Sequence, residues 1–584
     1  MTQMTIRTAT GFLARLAGRV PAGPMLLLVL LAATLGCESL EPLDDGGPRN
    51  PPLAVVVGED YSLPAHVTPE PYSGYSNHPE PGEPSTGMAL SDWWVGWDEL
   101  EPVRGEYDWD LVDARLASAA AEGTKLNIHL LSITWGGGST QHGITVVNRV
   151  PEWILNKYEL GETDLINLGW IFDILVIPGW HEEIQAEFAE LIAAFGARGY
   201  PAHEGVGAMY IHGVSASRGE EFWLTQETVD LLEQDHGFGP EVLHDWISGR
   251  FRAFADAFAG HTHKLAWVGR VGAWVGRGNA YETVARDLVL ESQALGFGNR
   301  NGGIESFHQY LKEPELGWDL DETGHLVVDE TVPVIADTRY FGDENEEYGA
   351  DWTWRFGPTT GDAYRYRMSM LRALQMRLRF LVTSPDAEWL NPPLSRYAGL
   401  SFGKTVDDSP DAWAYLKESK VHVGISPPGV IRNFERWLTQ RDHPGGMTVP
   451  TERIDRRYNA GSIGNAMDGA YWDHAARRTD VAGGNPYIYF HLDDRFVMTG
   501  PVQIKVEILD AHRTTWRLEY TDAEGTIVTS ESYTGRGDDE VRTVTFTLTD
   551  AAFANGLSYG SDFRIACDWP GDVVVRWVRV VRGV

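Results

Sequence analysis

Carboxyl residues directly follow strand-like stretches at two places far apart in this chain. In Met209-Tyr210-Ile211-His212-Gly213-Val214-Ser215-Ala216-Ser217-Arg218-Gly219-Glu220-Glu221-Phe222-Trp223, Glu220, with Glu221 in reserve, stands beside two aromatic residues. In the run from Val334 to Tyr348, Glu344, with Glu346 in reserve, follows Arg339-Tyr340-Phe341. A carboxyl partly buried beside aromatic rings keeps its proton and can act as a general acid. A carboxylate that stays ionised can act as a nucleophile, and Arg339 is the basic residue nearest Glu344 in sequence that could hold it so. Two such groups facing one another cleave glycosidic bonds, with retention at a separation of about 5–5.5 Å and inversion at a wider one. The competing readings are a solvated helix start for Glu220–Glu221 and a solvated acidic loop for Glu344–Glu346.

Groups that would bind a sugar beside those acids are also present. The chain has 22 Trp in 584 residues, a content that fits either sugar platforms or a large aromatic core. Trp94 (with Trp93) near the end of a strand candidate and Trp97 just after it either face a pocket or pack in the core. Alternation puts Asn127 and His129 on one face of the next candidate, which ends at Trp135; His129 is a candidate contact or a satisfied core histidine. Arg270, Trp274, Glu305, His308, Gln309, Asp386, Glu388 and Trp389 lie in or after later candidates and would line the same mouth. His261 and His263 precede a strand and lack an obvious partner ligand, so no metal is expected.

The elements that must position these residues follow from hydrophobic periodicity. Strands are expected at 87–95, 126–133, 207–214, 265–271, 303–308, 332–340 and 380–383, with one more preceding the first. Between them lie helical patterns at 110–122 (Leu111, Val112, Ala114, Leu116, Ala119), 181–198 (Ile184, Phe188, Leu191, Ile192, Phe195) and 362–379. Repeated βα units predict a (β/α)8 TIM barrel over residues 61–430, with catalytic groups at the carboxyl ends of the strands. No Gly-rich phosphate loop opens a helix, so no nucleotide cofactor is expected, nor any other cofactor. After that the pattern changes to short alternating strands at 487–492, 502–510, 515–521, 526–534, 543–548 and 573–581. This predicts a smaller antiparallel β-sandwich over 431–584, accessory or carbohydrate-binding in role.

Lys and Arg total 48 against 83 Asp and Glu, a formal charge of −35. That excess of acid repels phosphate backbones and argues against a nucleic-acid partner. Two cysteines, Cys37 and Cys567, exclude a disulfide scaffold. Arg7, Arg15 and Arg19 precede the apolar run 25–33, which is too short to span a bilayer and closes on Thr34-Leu35-Gly36-Cys37. Residues 1–36 therefore read as an export signal, and residues 37–60 as a flexible tether.

The Cys37 site resembles a bacterial lipobox, which implies lipidation of Cys37 and a place in the cell envelope, with a lipid anchor as the only membrane contact. The stretch Trp93-Trp94-Val95-Gly96-Trp97-Asp98-Glu99-Leu100-Glu101-Pro102, followed by Gly105-Glu106-Tyr107-Asp108-Trp109, is similar to one in clan-A glycoside hydrolases. Together with the Gly219-Glu220 and Asp343-Glu344-Asn345-Glu346 strand ends, it resembles the barrels around glycoside hydrolase family 42. Closer still is a family of uncharacterised bacterial glycosidase-like barrels, over roughly residues 85–405. The resemblance implies a retaining glycosidase acting on an oligo- or polysaccharide, with the acid/base at the end of the fourth strand, at Glu220. Clan-A enzymes place Asn immediately before that Glu; this chain has Gly219, which suits the alternative of a non-catalytic glycan-binding lipoprotein on the same scaffold.

Overall fold

A computed structural model describes residues 50–77, 88–132, 134–136, 147–160, 166–167, 173–212, 226–268, 279–301, 303–304, 313–345, 348, 362–383, 391–420, 430–454, 472–498, 500–568 and 570–584. Eight parallel strands close into a ring: β1 (Gly74–Asn77), β2 (Met88–Gly96), β3 (Lys125–Leu131), β4 (Val206–Ile211), β5 (Leu265–Val268), β6 (Gly298–Arg300), β7 (Phe341–Asn345) and β8 (Phe380–Thr383). Pairing of Phe380, Leu381 and Val382 with Gly74, Tyr75 and Ser76 shuts the ring. Because side chains alternate along a strand, Leu126, Ile128 and Leu130 of β3 join the outer core beneath the helices. Leu90, Ala208, Tyr210, Ala266, Val268, Tyr340 and Phe380, drawn from strands around the ring, form a separate cluster inside it.

Among the described residues the longer helices of the outer layer are α1 (Trp109–Glu122), α2 (Glu182–Ala197), α3 (Gln226–Asp235), α4 (Pro240–Ala257), α5 (Asn279–Ala294), α6 (Asp362–Gln375) and α7 (Pro392–Ser401). α1 buries Val112, Leu116 and Ala119 and stops at Gly123, whose φ of +75° suits the residue after a helix. α2 buries Ile184, Phe188, Leu191, Ile192 and Phe195, the stripe its periodicity predicts. It lies so close to α4 that a Cβ at Gly196 would sit 2.8 Å from the Ala257 carbonyl oxygen.

Two expected strands are displaced. The sixth lies at Gly298–Arg300, ahead of the expected 303–308, of which 305–308 lie outside the described residues; its inward side is glycine and arginine and carries no apolar alternation. The stretch 332–340 contains a helical turn, Pro333–Ala336, with proline at its first position, where the missing N–H costs nothing; the seventh strand begins only at Phe341. Part of the expected tether is also ordered. Ala54–Val57 is an edge strand paired with Val541–Leu548.

That edge strand belongs to the first of two antiparallel sheets, ordered Ala54–Val57, Val541–Leu548, Val502–Leu509, Val574–Arg582, Asp411–Lys420, Val430–Arg436. The sandwich thus recruits chain from 411 onward, earlier than expected. The second sheet contains Leu438–Arg441, Tyr487–Leu492, Phe563–Cys567, Thr515–Thr521 and Ile527–Thr529. Ile504, Val506, Phe546 and Val580 meet Phe490, Trp516, Leu518 and Ile565 between the sheets.

The first sheet's other face packs on the barrel. Trp413, Tyr415, Phe434 and Trp577 are part of the barrel's own core. Buried charges cross the same boundary. Arg579 donates to Asp411 at 2.8 Å with both side chains at most 1 % exposed, and the Tyr397 hydroxyl of α7 donates to the same carboxylate at 3.0 Å. Arg576 pairs with Glu59 at 2.7 Å and with Glu507, while Arg367 of α6 pairs with Glu59. Removing one member of a buried pair strands the other and costs about 3–5 kcal/mol. Asp411→Ala is expected to lose that much in chemical denaturation, with barrel and sandwich still unfolding in one transition; two separated transitions would show that the sheet is an independent module.

Candidate active site

At the carboxyl end of the barrel the inward positions turn polar. Asp92 of β2 sits at the centre of one group. It accepts from the Ser76 hydroxyl of β1 and from Asn127 Nδ2 of β3 at 2.7 Å, and His129 Nε2 lies 3.7 Å from the same oxygen. The β2–β3 register explains the grouping, since Asp92 pairs with Asn127 and Trp94 with His129. The Trp94 ring stacks on the His129 ring at 4.2 Å and 22°. His212, just past β4, closes against both, 5.6 Å from Trp94 and 5.3 Å from His129 between ring centroids.

Tyr210 links this group to the opposite wall. Its ring meets His129 edge-on at 4.2 Å, and its hydroxyl bonds that of Tyr340, which precedes β7. Burial, reinforced by the Asp92 carboxylate, holds the Tyr210 phenol well above its usual range, and burial does the same to Tyr340. Both are therefore neutral phenols at physiological pH. The Arg300 guanidinium of β6 lies 5.7 Å from the Tyr210 ring centroid, and its Nη2 is 2.9 Å from Glu344 Oε2 of β7. Arg300 is 2 % exposed and the Glu344 side chain 15 %, so the ion pair is mostly withdrawn from water while one carboxylate remains accessible. Asp343 accepts from the Glu344 backbone N–H at 2.7 Å. Asn345 points to the helix side, where it accepts from the Tyr348 hydroxyl. The two flanking residues thus hold the strand end that aims Glu344 inward.

The structure brings three of the sequence candidates, Trp94, His129 and Glu344, into one connected group. Two others lie elsewhere. Trp97 is fully buried in the turn Trp97–Leu100, donates from Nε1 to Glu101 at 2.7 Å and packs edge-on against Trp153 and Phe188. It is a core residue outside the ring, because it follows the end of β2 and turns into the helical layer. Arg339 does not reach Glu344. It pairs with Asp337 at 2.6 Å and donates to the Gln293 carbonyl at 2.6 Å, at the end of β7 opposite to Glu344. Arg300 takes the place expected of it, and no signal pointed there because the sixth strand was expected further on. Trp135 lies in Thr134–Gly136, part of a four-stranded antiparallel sheet added after β3. Glu220, Glu221, Arg270, Trp274, Glu305, His308, Gln309, Glu346, Asp386, Glu388, Trp389 and Cys37 lie outside the described residues. Asp92, Asn127, Tyr210, His212 and Tyr340 were visible as polar or aromatic members of strand runs, but nothing in the sequence told them from core residues.

No family model and no curated protein matches the chain. Among solved structures it is similar to the catalytic domain of β-amylase from Paenibacillus polymyxa, at 10% identity over 57% of this chain and 98% of that one, with a TM-score of 0.34. It is similar to a β-galactosidase from the psychrophilic Marinomonas ef1, at 11% identity over 54% of each chain and a TM-score of 0.31. A third is endo-glycoceramidase II from Rhodococcus sp., at 11% identity over 80% of this chain and 90% of that one, with a TM-score of 0.26.

The buried phenol pair offers a check on the interior. Removing one hydroxyl leaves its partner short of a bond in a site without solvent, which costs about 1–3 kcal/mol. Tyr340→Phe is expected to lower stability by that amount in urea titration; an unchanged midpoint would mean the two rings do not meet across the barrel.

Proposed function

We propose that this chain is a glycoside hydrolase of the retaining type, with Glu344 as the nucleophile and Glu220 as the acid/base, acting on an oligo- or polysaccharide. The observation that supports it most is Glu344 itself, a carboxylate at the carboxyl end of the seventh strand, facing inward and paired with Arg300. In a closed barrel the side chains that do chemistry project from that end. A nucleophile for an anomeric carbon must be ionised and partly shielded from water; the guanidinium at 2.9 Å favours the first and the 15 % exposure of the Glu344 side chain gives the second. Trp94, partly exposed and stacked on the buried His129, adds an aromatic surface in the same connected group, which suits the C–H face of a sugar ring. Lipidation at Cys37, export and attachment to the cell envelope complete the proposal and rest on the sequence pattern.

A second reading, glycan binding without turnover, draws on the same ion pair, since a carboxylate neutralised by arginine can also be purely structural, and on Gly219 standing where clan-A enzymes carry Asn. The two separate in a hydrolysis screen over a glycan panel, read as released reducing ends. If the chain is an enzyme, Glu344→Gln and Glu220→Gln each lower kcat/KM by about 10²–10⁴-fold or more while the circular dichroism spectrum is unchanged. Arg300→Lys, which keeps the charge but loses the planar fork, is expected to retain more activity than Arg300→Met. Full activity in Glu344→Gln, or saturable binding with no released ends from the unaltered chain, would discard the proposed nucleophile.

A further inference from the structure

Behind the barrel mouth, between α2 and α4, lies a cavity of about 230 Å³. It exists because α2 and α4 present Ala186, Gly249 and Ala253 where larger residues would fill the gap. Phe188 and Trp246 form an apolar wall, and the Arg250 guanidinium lies against both rings, 4.8 Å and 5.4 Å from their centroids. Arg250 donates from Nη1 to the His212 carbonyl at 2.7 Å and lies 3.4 Å from the Ser132 hydroxyl. These contacts fix the head and leave the rest of its five-donor fork to the cavity. Among the described residues no carboxylate lies within ion-pair distance of it, in contrast to Arg300, Arg576 and Arg579. Burial lowers its pKa to about 10, which leaves it cationic at neutral pH. A cation on an apolar wall whose only hydrogen-bond acceptors among the described residues are neutral is a receptor for an anion that carries an apolar body.

We propose that this cavity binds a small monocarboxylate with a single aromatic ring, its carboxylate on Arg250 and its ring against Phe188 and Trp246. The volume sets the size, being below the ~300–1,000 Å³ of pockets for drug-sized ligands. The charge sets the number of carboxylates, because Glu182 lines the same cavity and the chain carries −35 overall, both of which disfavour a second anionic group. The site does not depend on the sugar chemistry proposed above, and Glu344→Gln is expected to bind as the unaltered chain does.

The test is calorimetric titration of the full chain with phenylacetate and with phenylacetamide, which has the same shape without the charge. The expected result is saturable phenylacetate binding with Kd of about 1 mM or tighter, and phenylacetamide at least about tenfold weaker. Ala253→Leu fills the cavity without altering Arg250 and is expected to weaken phenylacetate at least about tenfold. Arg250→Met is expected to erase the preference for the acid over the amide. Absence of saturation by about 10 mM phenylacetate, equal affinity for acid and amide, or unchanged binding in Ala253→Leu would each overturn the proposal. Should Arg250→Met fail to fold, the acid–amide comparison and Ala253→Leu still decide it.

Discussion

Closing eight parallel strands into a ring is the constraint from which the rest follows. Neighbour pairing brings Ser76 and Asn127 to Asp92 across the first three strands, and closure lets Tyr210 reach Tyr340 from another part of the ring. The parallel direction puts every carboxyl end on one side, so polar inward positions accumulate there. The interior is divided accordingly. An apolar cluster with Leu90, Ala266, Val268 and Phe380 occupies part of it, and above it the polar groups satisfy one another around Asp92 and between Arg300 and Glu344. Burying such charges is unfavourable unless each is paired and hydrogen-bonded. The interior is therefore a network in which each member depends on its neighbours' register, and this is also what holds Glu344 in one orientation.

The sandwich is joined to the barrel by the same kind of device. Its first sheet turns one face to its partner sheet and the other to the barrel, where Trp413 and Trp577 enter the barrel core. The Asp411–Arg579 pair, capped by Tyr397, ties the start of the sandwich to its last strand and to α7. The strand Ala54–Val57 closes the edge of that sheet, so both ends of the described chain meet in it. A module added only to bind ligand would need none of these contacts. Here the sandwich is part of what stabilises the barrel.

Much of this organisation could be read in the sequence where burial has a period. The α2 stripe from Ile184 to Phe195 and the eighth strand at Phe380–Thr383 fall where hydrophobic spacing puts them. Reading failed where polar or irregular segments interrupt periodicity. Gly298-Asn299-Arg300 forms the sixth strand with an inward arginine, so it shows no apolar alternation, and Arg300 was missed with it. Val332 to Ala336 alternates like a strand, yet Pro333 starts a helical turn there. Arg339 was chosen for Glu344 by nearness in sequence, but the length of β7 separates them and the true neighbour comes from the adjacent strand. Trp97 illustrates the ambiguity of aromatic residues, because one residue past a strand end is enough to turn a side chain from the mouth into the outer core.

The proposed mechanism requires Glu344 to form a covalent bond to the anomeric carbon of its substrate. Incubation with activated 2-deoxy-2-fluoro glycosides, which slow release of such an intermediate more than its formation, followed by peptide mass mapping, tests this directly. A single sugar adduct on the peptide containing Glu344 is expected. An adduct on another carboxylate, or turnover of the parent glycoside with no adduct on any, would contradict it.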